Sequence, residues 1–429
     1  MGGFRVRAAR EEDIDQLVEM GLAAYPDSGG FEQRRRNLVQ NSFGGLTDVR
    51  VIEKDGRLAG QASLYAIEIW LGGRLVPCAG IASVAVTPGE RREGVSHALL
   101  EQVHAEVNAR QAALTLLYPF REGFYARLGY ATTAPLVTLR VATDAIAHAP
   151  SLVDAAAGFT FRTLEGPLLT EARTLYDEVA ATLAGRIART EARWLKLFSL
   201  ESRHWMGTMS AEGRLEGYVA FSYDVPVSHG RQTLVVHELT ARNGRAERAL
   251  LAALGKQRDQ VDDVEINVPL GSPIALAFYD APGSRRGTAA VEHPLGTIGA
   301  GPMVRLADAA RALTLRGYSA DGALTFKVAE TPASDPGKSL TRDAPKTLHL
   351  LVRNGRGEIA DEGAGAGVAK SEHEGTTLAL ALSTLGSIVA AGQRPSDAAS
   401  LGLVQADAHA LAIADALFAG PRFQCLDPF

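Results

Sequence analysis

The sequence predicts a protein of three consecutive units, two of α/β type on mixed sheets and one of α+β type. The chain has 429 residues, a length typical of two or three domains. Strand and helix patterns alternate over residues 1–147 and return in weaker form over residues 148–300. From residue 301 to residue 429 the pattern changes to a group of strands combined with helices. We therefore expect domain boundaries near residues 147 and 301.

The first unit follows the order β-α-β-β-β-α-β-α-β. Asp55-Gly56 and Gly72-Gly73 are hairpin signals inside a long apolar stretch, which they divide into three strands. Apolar residues at helical spacing after an acidic first turn predict the first helix. The predicted elements are a strand at 4–8, a helix at 11–25, three strands within 49–88, a helix at 90–111, a strand at 112–119, a short helix at 121–130 and a strand at 132–142.

The second unit repeats part of this order. Its predicted elements are a hairpin strand at 213–224, a strand, turn and helix within 232–254, and a strand at 261–270. When the "ALL" at 249–251 is superposed on the "ALL" at 98–100, Arg245 falls where Gly94 stands. We therefore interpret the unit as a second copy of the fold that has lost the glycine turn and, with it, a functional cofactor site.

The third unit is predicted as a sheet with helices packed on it. Its elements are a strand and helix at 301–313, strands at 322–330, 346–355 and 357–363, and helices at 376–392 and 407–420. Residues 330–345 are rich in turn-forming residues and predict a surface loop.

Composition excludes several classes of function. The net charge of −5 gives no electrostatic case for nucleic acid, and we interpret Arg34–Arg36, preceded by Glu32, as a solvated helix face. Two cysteines provide neither a disulfide framework nor a zinc site, so we expect no metal. The chain has no apolar leader and no apolar stretch of about 18 residues, so we expect a cytoplasmic protein without a membrane partner.

The sequence lacks three known catalytic or nucleotide-binding motifs that short stretches of it resemble. The "PGKSL" at 336–340 has Pro332 where a P-loop needs its first glycine. His237-Glu238 and His373-Glu374 lack the second histidine of a zincin helix, and no G-x-S-x-G elbow is present.

The stretch "VAVTPGERREGVSHALL" at 84–100 joins a strand to a helix through a turn with two arginines and a glycine. A helix N-terminus presents unpaired backbone N–H groups and the positive end of its dipole, which attract phosphate. Gly94 lets a phosphate approach the backbone, and Arg91 and Arg92 add positive charge. The edge of the preceding strand is available to pair with an extended, amide-bearing ligand. The turn therefore predicts a pyrophosphate site.

This layout resembles the R-x-x-G-x-[G/A] signature of the GCN5-related N-acetyltransferases (GNAT), read here from Arg91 to Ser96, with Ser96 departing from the usual small residue. With "LYPFREGFYARLGYA" and the final "FQCLDPF", the whole chain resembles the enhanced intracellular survival (Eis) acetyltransferases. The resemblance implies a GNAT domain, a degenerate GNAT-like domain and a C-terminal domain like sterol carrier proteins, assembled as a homo-hexamer. It also implies acetyl-CoA as co-substrate, bound by Val84, Ala85, Val86, Arg91, Arg92, Glu93, Gly94, Val95, Ser96, His97, Phe120 and Arg121.

The same resemblance implies two catalytic groups. The Tyr125 hydroxyl would be the general acid that protonates the leaving sulfur, and the α-carboxylate of Phe429 would be the base that deprotonates the amine. A phenol with a pKa of about 10 can protonate a thiolate whose pKa is about 8.5 as the bond breaks. A terminal carboxylate, with a pKa of about 3.5, is a weak base unless burial raises that value. Without the resemblance, Tyr125 reads as a core aromatic residue and Phe429 as a frayed terminus.

The activity that follows is transfer of an acetyl group to amines of a cationic small molecule, aminoglycosides being the class that the resemblance implies. Tyr118 and Asp27 are candidates for the acceptor pocket, although packing and a turn account for them equally well. Two alternatives stay open: acetylation of protein lysines, and a lipid or small-ligand carrier in which the third unit acts and the first is a scaffold.

Overall fold

The computed structural model describes residues 3–26, 29–152, 154–224, 232–278, 294–329, 346–360 and 376–429. They form three sheets, of seven, seven and five strands.

The first sheet has the strand order β1-β2-β3-β4-β5-β14-β6, in which β14 is the distant segment Met303–Leu306. The strands β4 and β5 are parallel, and the other neighbours are antiparallel. The helix α3 covers one face of this sheet with Leu99, Leu100 and Val103, which are fully buried. The elements of this unit are β1 (Phe4–Ala8), α1 (Ile14–Ala24), α2 (Phe31–Val39), β2 (Val49–Lys54), β3 (Arg57–Leu71), β4 (Arg74–Val86), α3 (Val95–Ala109), β5 (Leu114–Leu117), α4 (Glu122–Ala126) and β6 (Ala131–Thr132), with 3-10 turns at Glu11–Asp13, Leu46–Asp48 and Pro88–Glu90.

The second sheet has the order β13-β7-β12-β11-β10-β9-β8, with β11 and β12 parallel. Its elements are β7 (Leu136–Ala142), α5 (Thr143–Ala147), β8 (Thr160–Thr163), α6 (Pro167–Ala180), α7 (Glu191–Phe198), β9 (His204–Met209), β10 (Leu215–Asp224), β11 (Thr233–Ala241), α8 (Gly244–Gly255), β12 (Asp263–Pro269), a 3-10 turn at Pro273–Ala277 and β13 (Gly296–Gly299). The parallel pair lies inside the sheet in both units, so the second sheet repeats the plan of the first.

The third sheet has the order β17-β16-β15-β18-β19. The elements after β13 are β14 (Met303–Leu306), α9 (Ala309–Leu315), β15 (Gly322–Ala329), β16 (Lys346–Arg353), β17 (Arg356–Ala360), β18 (Thr377–Ala381), α10 (Leu382–Val389), α11 (Pro395–Ser400), β19 (Val404–Gln405) and α12 (Ala408–Leu417).

Two strands lie in a different unit from the one that the sequence predicts. The strand within 132–142 is not the last strand of the first sheet, because β7 pairs with β12 and β13 of the second. The strand after residue 301 does not belong to the third sheet, because β14 pairs with β5 and β6 of the first. The two units thus exchange equivalent strands. Alternating apolar residues predict a strand, but they carry no information about which sheet receives it.

The helix predicted at 376–392 is wrong in its first part, because Thr377–Ala381 form the strand β18 and only Leu382–Val389 are helical. A short apolar run without polar interruptions fits a buried strand as well as a buried helix, so its period cannot separate the two. The loop predicted at 330–345 lies outside the described residues.

The first and third units share one apolar core. Ile67 and Ile69 of β3 belong to the same buried cluster as Phe326 of β15 and Ile388 of α10. This shared core holds the C-terminal part of the chain against the first sheet.

Among the described residues, no helix combines the length and the apolar character needed to cross a bilayer.

Candidate active site

A cleft of about 800 Å³ opens where β4 and β5 separate. The two strands pair from Cys78↔Leu114 to Gly80↔Leu116, and no further pair between them is formed among the described residues. Beyond that point β4 carries a bulge, where Ser83 takes a φ of +51° and the register with β3 shifts. The bulge turns the end of β4 away from β5, so the edge of residues 84–86 faces the cleft.

The helix α3 points its N-terminus at this cleft. Its N-cap is Gly94, which has a φ of +80° and makes no side-chain capping hydrogen bond. A Cβ on Gly94 would meet nothing within 4 Å, so the glycine is required by its backbone conformation and by access to the first turn. The helix begins at Val95 rather than at residue 90, because the turn with Gly94 in the left-handed region precedes it.

The predicted cofactor-binding residues come together at this cleft, with one exception. The lining includes Val84, Ala85, Val86, Arg91, Arg92, Gly94, Val95, Ser96, His97, Phe120 and Arg121. Glu93 is exposed in the turn and is not part of the lining. The pKa of Lys54 is raised, first by its hydrogen bond to Glu90, and the charge of Glu93 adds a smaller contribution.

Arg91 and Arg92 differ in what they do. Arg91 donates to the carbonyls of Val86 (3.4 Å) and Ala23 (3.1 Å), and so ties the turn to β4 and to the end of α1. Arg92 is exposed, with a φ of +67°. With Arg121 and Arg127, these side chains make the rim of the cleft basic.

Sequence reasoning missed several lining residues, namely Ala23, Ala24, Tyr25, Glu90, Phe124, Arg127 and Leu128. Tyr25 follows α1, and its hydroxyl donates to the Val84 carbonyl at 2.8 Å. Helical periodicity placed Tyr25 at the end of a helix but gave no sign that it closes the cleft.

Tyr125 lies in α4, buried behind the lining residues Phe120 and Phe124, with 2% of its surface exposed. Its ring makes edge contacts with Phe124, Phe120 and Tyr130, at centroid distances of 5.0, 5.5 and 5.8 Å. Burial, followed by the phenols of Tyr25 and Tyr130, raises the pKa of Tyr125 above its ordinary value. The hydroxyl is therefore protonated at neutral pH.

Phe429 reaches the point where the two strands separate. A Cβ on Gly80, the last β4 residue paired with β5, would lie 3.1 Å from the Phe429 ring. The ring also packs against Phe43 and Tyr118, with centroids 5.9 and 5.6 Å away. The C-terminal residue is thus packed against the first sheet where β4 and β5 stop pairing, and Tyr118 is one of its neighbours. Asp27, the other candidate for the acceptor pocket, lies outside the described residues.

The last six residues are held by specific contacts. The backbone N–H of Gln424 donates to the Ala184 carbonyl at 2.8 Å, and the Tyr118 hydroxyl donates to the Cys425 carbonyl at 3.2 Å. The Asp427 carboxylate is 1% exposed and accepts hydrogen bonds from both Arg189 and Arg193. These contacts exclude the alternative of a frayed terminus.

Arg189 is the centre of this anchor. Its Nε bonds Asp427 at 3.0 Å and its Nη2 bonds Glu238 at 2.5 Å, while its guanidinium lies over the rings of Tyr176 and Trp194 at 4.0 and 4.7 Å. Burial acts to raise the pKa of Asp427, but the charges of Arg189 and Arg193 outweigh it, so that pKa lies below its usual value. Asp427 is therefore ionised at neutral pH, and no sequence motif pointed to it.

The corresponding helix of the second unit is capped. The Asn243 side chain accepts hydrogen bonds from the amides of Arg245 (3.1 Å) and Ala246 (3.0 Å). The sequence superposition placed Arg245 at the turn, but α8 begins at Gly244 and Arg245 lies inside it. Because Asn243 occupies amides that a phosphate would use, this helix lacks the anion site of α3.

These features agree with what comparison with known proteins finds. Residues 5–133 and residues 185–306 each match an acetyltransferase (GNAT) domain family, and residues 309–426 match the sterol carrier protein domain family. The chain therefore contains two GNAT domains followed by a sterol carrier protein domain, which confirms the predicted fold class.

The chain is also similar to N-acetyltransferase Eis of Mycobacterium tuberculosis and Mycobacterium bovis, with 28% identity over 139 residues. The match covers 30% of this chain and 33% of the relative, so the chain spans about a third of the length of the curated relatives that it matches. The fold is that of a GCN5-related N-acetyltransferase from Anabaena variabilis (TM-score 0.78, 22% identity) and of Eis1 from Mycobacterium abscessus (TM-score 0.73, 19% identity), each covering 100% of both chains. The predicted resemblance is confirmed.

Replacing Asp427 by Asn should lower the free energy of unfolding by about 3–5 kcal/mol, because it leaves buried guanidinium charge without its partner. Asp397→Asn is the matched control, since Asp397 pairs with Arg422 at a site where its side chain is 56% exposed, and about 0–1 kcal/mol is expected there. Denaturant unfolding measures both values. The pKa of Asp427 is lowered in the folded state, so the difference from wild type should be full at neutral pH and should shrink in acid. Equal losses in the two variants would show that this network does not anchor the tail.

Proposed function

We propose that the protein is an acetyl-CoA-dependent N-acetyltransferase that acts at the cleft between β4 and β5. The observation that carries the proposal is the uncapped, glycine-initiated N-terminus of α3, which faces a cleft of about 800 Å³ with a basic rim. The diphosphate of coenzyme A carries the charge that such a turn attracts, and the amides of the pantetheine arm can approach residues 84–86, which line the cleft.

The residues present fit coenzyme A in three respects. The first-turn amides after Gly94 and the side chain of Arg92 can hold the diphosphate. The 62% exposed ring of Phe120 offers an apolar surface beside the cleft. The bulge in β4 leaves a strand edge without a β5 partner. When bound there, acetyl-CoA would supply the activated acetyl group as a thioester.

Tyr125 is the proposed general acid. In the reaction the amine nitrogen forms a bond to the acetyl carbon, and the bond from that carbon to sulfur breaks. The departing sulfur needs a proton or a hydrogen bond, and the Tyr125 hydroxyl can donate one because burial raises its pKa and keeps it protonated at neutral pH. The protonated state of Tyr125 and its position behind Phe120 and Phe124 support this role.

The α-carboxylate of Phe429 is the proposed base. It would accept the proton that the attacking amine loses, directly or through one water. The packing of the Phe429 ring on Gly80 supports this role, because it holds the chain end against β4 at the last residue that pairs with β5. The anchor at Asp427, two residues before the end, restricts where the carboxylate can lie.

The proposed acceptors are amines of cationic small molecules, with aminoglycoside-like compounds as the class that the resemblance supports. Protein lysine and a fatty or sterol ligand of the third unit are the competing possibilities. The same resemblance supports a homo-hexamer, and the two free cysteines, Cys78 and Cys425, are compatible with a cytoplasmic location.

Tyr125→Phe should lower kcat about a hundredfold or more, because it removes the proton donor and leaves the ring packing in place. Tyr223→Phe is the control, since that exposed tyrosine of β10 lies in the second unit. Release of free CoA thiol over a panel of amines that includes an aminoglycoside and a lysine peptide measures the rate and the acceptor preference. Full activity in Tyr125→Phe would remove this residue from the mechanism. Saturable binding of a fatty acid, together with no release of CoA thiol in the presence of any amine, would favour a lipid-carrier function.

Extending the chain past Phe429 by a few residues should also abolish turnover, because the terminal carboxylate is then moved away from the cleft. The same residues added before Met1 serve as the control. Turnover is measured by thiol release, and binding of acetyl-CoA by calorimetry. We expect the extended protein to bind acetyl-CoA but not to use it. Intact turnover would show that another group is the base.

Gly94→Ala should weaken acetyl-CoA binding about tenfold or more, because a Cβ strains the left-handed turn and crowds the approach of the diphosphate. Gly213→Ala is a closely matched control, since Gly213 has a φ of +79° and, like Gly94, open space around its missing Cβ. Both variants should lose similar stability in thermal unfolding, while only Gly94→Ala should raise the KM for acetyl-CoA. An equal KM in the two variants would contradict the assignment of the diphosphate site.

A further inference from the structure

Tyr130 is a buried tyrosine in direct contact with the proposed general acid. Only 1% of its surface is exposed, and its ring makes an edge contact with the Tyr125 ring at a centroid distance of 5.8 Å. Its backbone N–H donates to the Tyr125 carbonyl at 3.2 Å. Tyr130 therefore contacts Tyr125 through both its ring and its backbone.

The hydroxyl of Tyr130 belongs to a short chain of buried polar groups. The Thr115 hydroxyl of β5 donates to it at 3.1 Å, and Nε2 of His104 in α3 lies 2.9 Å away. Both partners are buried, His104 with 8% of its surface exposed. Burial lowers the pKa of His104 to about 3, so its imidazole is neutral at neutral pH. A neutral imidazole has one nitrogen that accepts a hydrogen bond, and the phenol of Tyr130 can donate to it.

The helix α4, which carries Tyr125, depends on such contacts for its position. It has five residues, fewer than a helix needs to be stable by itself. Its C-terminal end is held from β14, where Nε of Arg305 donates to the Leu128 carbonyl at 3.1 Å. The Tyr130 backbone supplies a second hold. The orientation of Tyr125 is thus set by residues outside α4.

The bond between Tyr130 and His104 connects α4 to the helix that faces the cleft. His104 lies in α3, whose N-terminus is the proposed diphosphate site. Apolar packing is non-directional, whereas a buried hydrogen bond fixes both distance and orientation, because a misaligned pair leaves polar groups unsatisfied. The general acid and the cofactor turn are therefore held in a defined relation by one hydrogen bond.

We propose that Tyr130 and His104 are positioning residues, whose hydrogen bond sets the place of the Tyr125 hydroxyl relative to acetyl-CoA bound at α3. This role rests on the proposed function, in which Tyr125 protonates the leaving sulfur. Neither residue is among those that line the cleft in the part of the chain that the structure describes, so both act on the reaction through Tyr125.

Breaking this bond should lower kcat and leave the KM for acetyl-CoA unchanged. A catalytic group that is misplaced by about 1 Å can lose about a hundredfold in rate. The diphosphate, in contrast, would bind to the first turn of α3, which does not use this bond.

Two substitutions of His104 separate the hydrogen bond from the packing. His104→Gln keeps an acceptor that the Tyr130 hydroxyl can reach, whereas His104→Leu does not, and both residues are good helix formers. We expect kcat to fall about tenfold or more in His104→Leu and in Tyr130→Phe, and about threefold or less in His104→Gln. Tyr318→Phe is the control, because its hydroxyl makes a buried bond of the same kind, to the Leu313 carbonyl at 2.6 Å, in the third unit.

The same substitution in the Tyr125→Phe background gives the decisive comparison. A residue that acts only through the Tyr125 hydroxyl has nothing to position once that hydroxyl is absent, so His104→Leu should then cause no further loss of kcat. Thiol release measures kcat and KM, and thermal unfolding measures stability. A purely structural role would lower kcat by the same factor in both backgrounds.

The proposal is overturned if His104→Leu keeps the kcat of wild type, if His104→Gln loses as much as His104→Leu, or if the loss persists in the Tyr125→Phe background. Should His104→Leu fail to fold, Tyr130→Phe gives the same comparison in both backgrounds. If wild type releases no thiol with any amine, the proposed function fails, and crystal structures of the two His104 variants test the positioning separately. A Tyr125 ring displaced in His104→Leu but not in His104→Gln supports it, and a ring that stays in place in both refutes it.

Discussion

The arrangement of the candidate active site depends on one buried guanidinium. Arg189 has 1% of its side chain exposed, and it joins Glu238 of the second sheet to Asp427 near the chain end. Burying an unpaired arginine costs several kcal/mol, and two carboxylates with two aromatic faces offset that cost here. Because the carboxylates come from elements far apart in sequence, the ion cluster forms only when the tail is in place. Phe429 reaches Gly80 because this cluster holds the preceding residues.

The two GNAT domains show how a small local change separates two related clefts. Both sheets have a parallel strand pair that separates before a helix begins. In the first domain Gly94 leaves the helix uncapped, whereas in the second Asn243 bonds its own helix. An asparagine cap stabilises the helix and removes the amides from use by a ligand. The second domain thus gains stability at the position where the first leaves its helix N-terminus uncapped.

The local parts of the structure were predictable from sequence, and the non-local parts were not. Gly72-Gly73 and Gly94 carry backbone preferences that a single residue type reveals, so the long hairpin and the turn before α3 could be predicted from the sequence. The placement of β7 and β14 depends on pairing across more than a hundred residues, which alternation does not encode. Asp427 reads as a surface residue because its partners Arg189 and Arg193 are more than 230 positions away. Only the resemblance to a known family drew attention to Phe429, because composition and periodicity predict no more than a frayed terminus there.

The exchange of β7 and β14 also constrains how the chain is made. In the first sheet β14 (Met303–Leu306) lies between β5 and β6 and pairs with both. The sheet therefore stays incomplete until more than two thirds of the chain has left the ribosome. Until then the edge of β5 is exposed and able to pair with another chain. Early termination of synthesis after the first domain should therefore give an aggregating fragment rather than a folded domain, and the two GNAT domains can complete their folding only together.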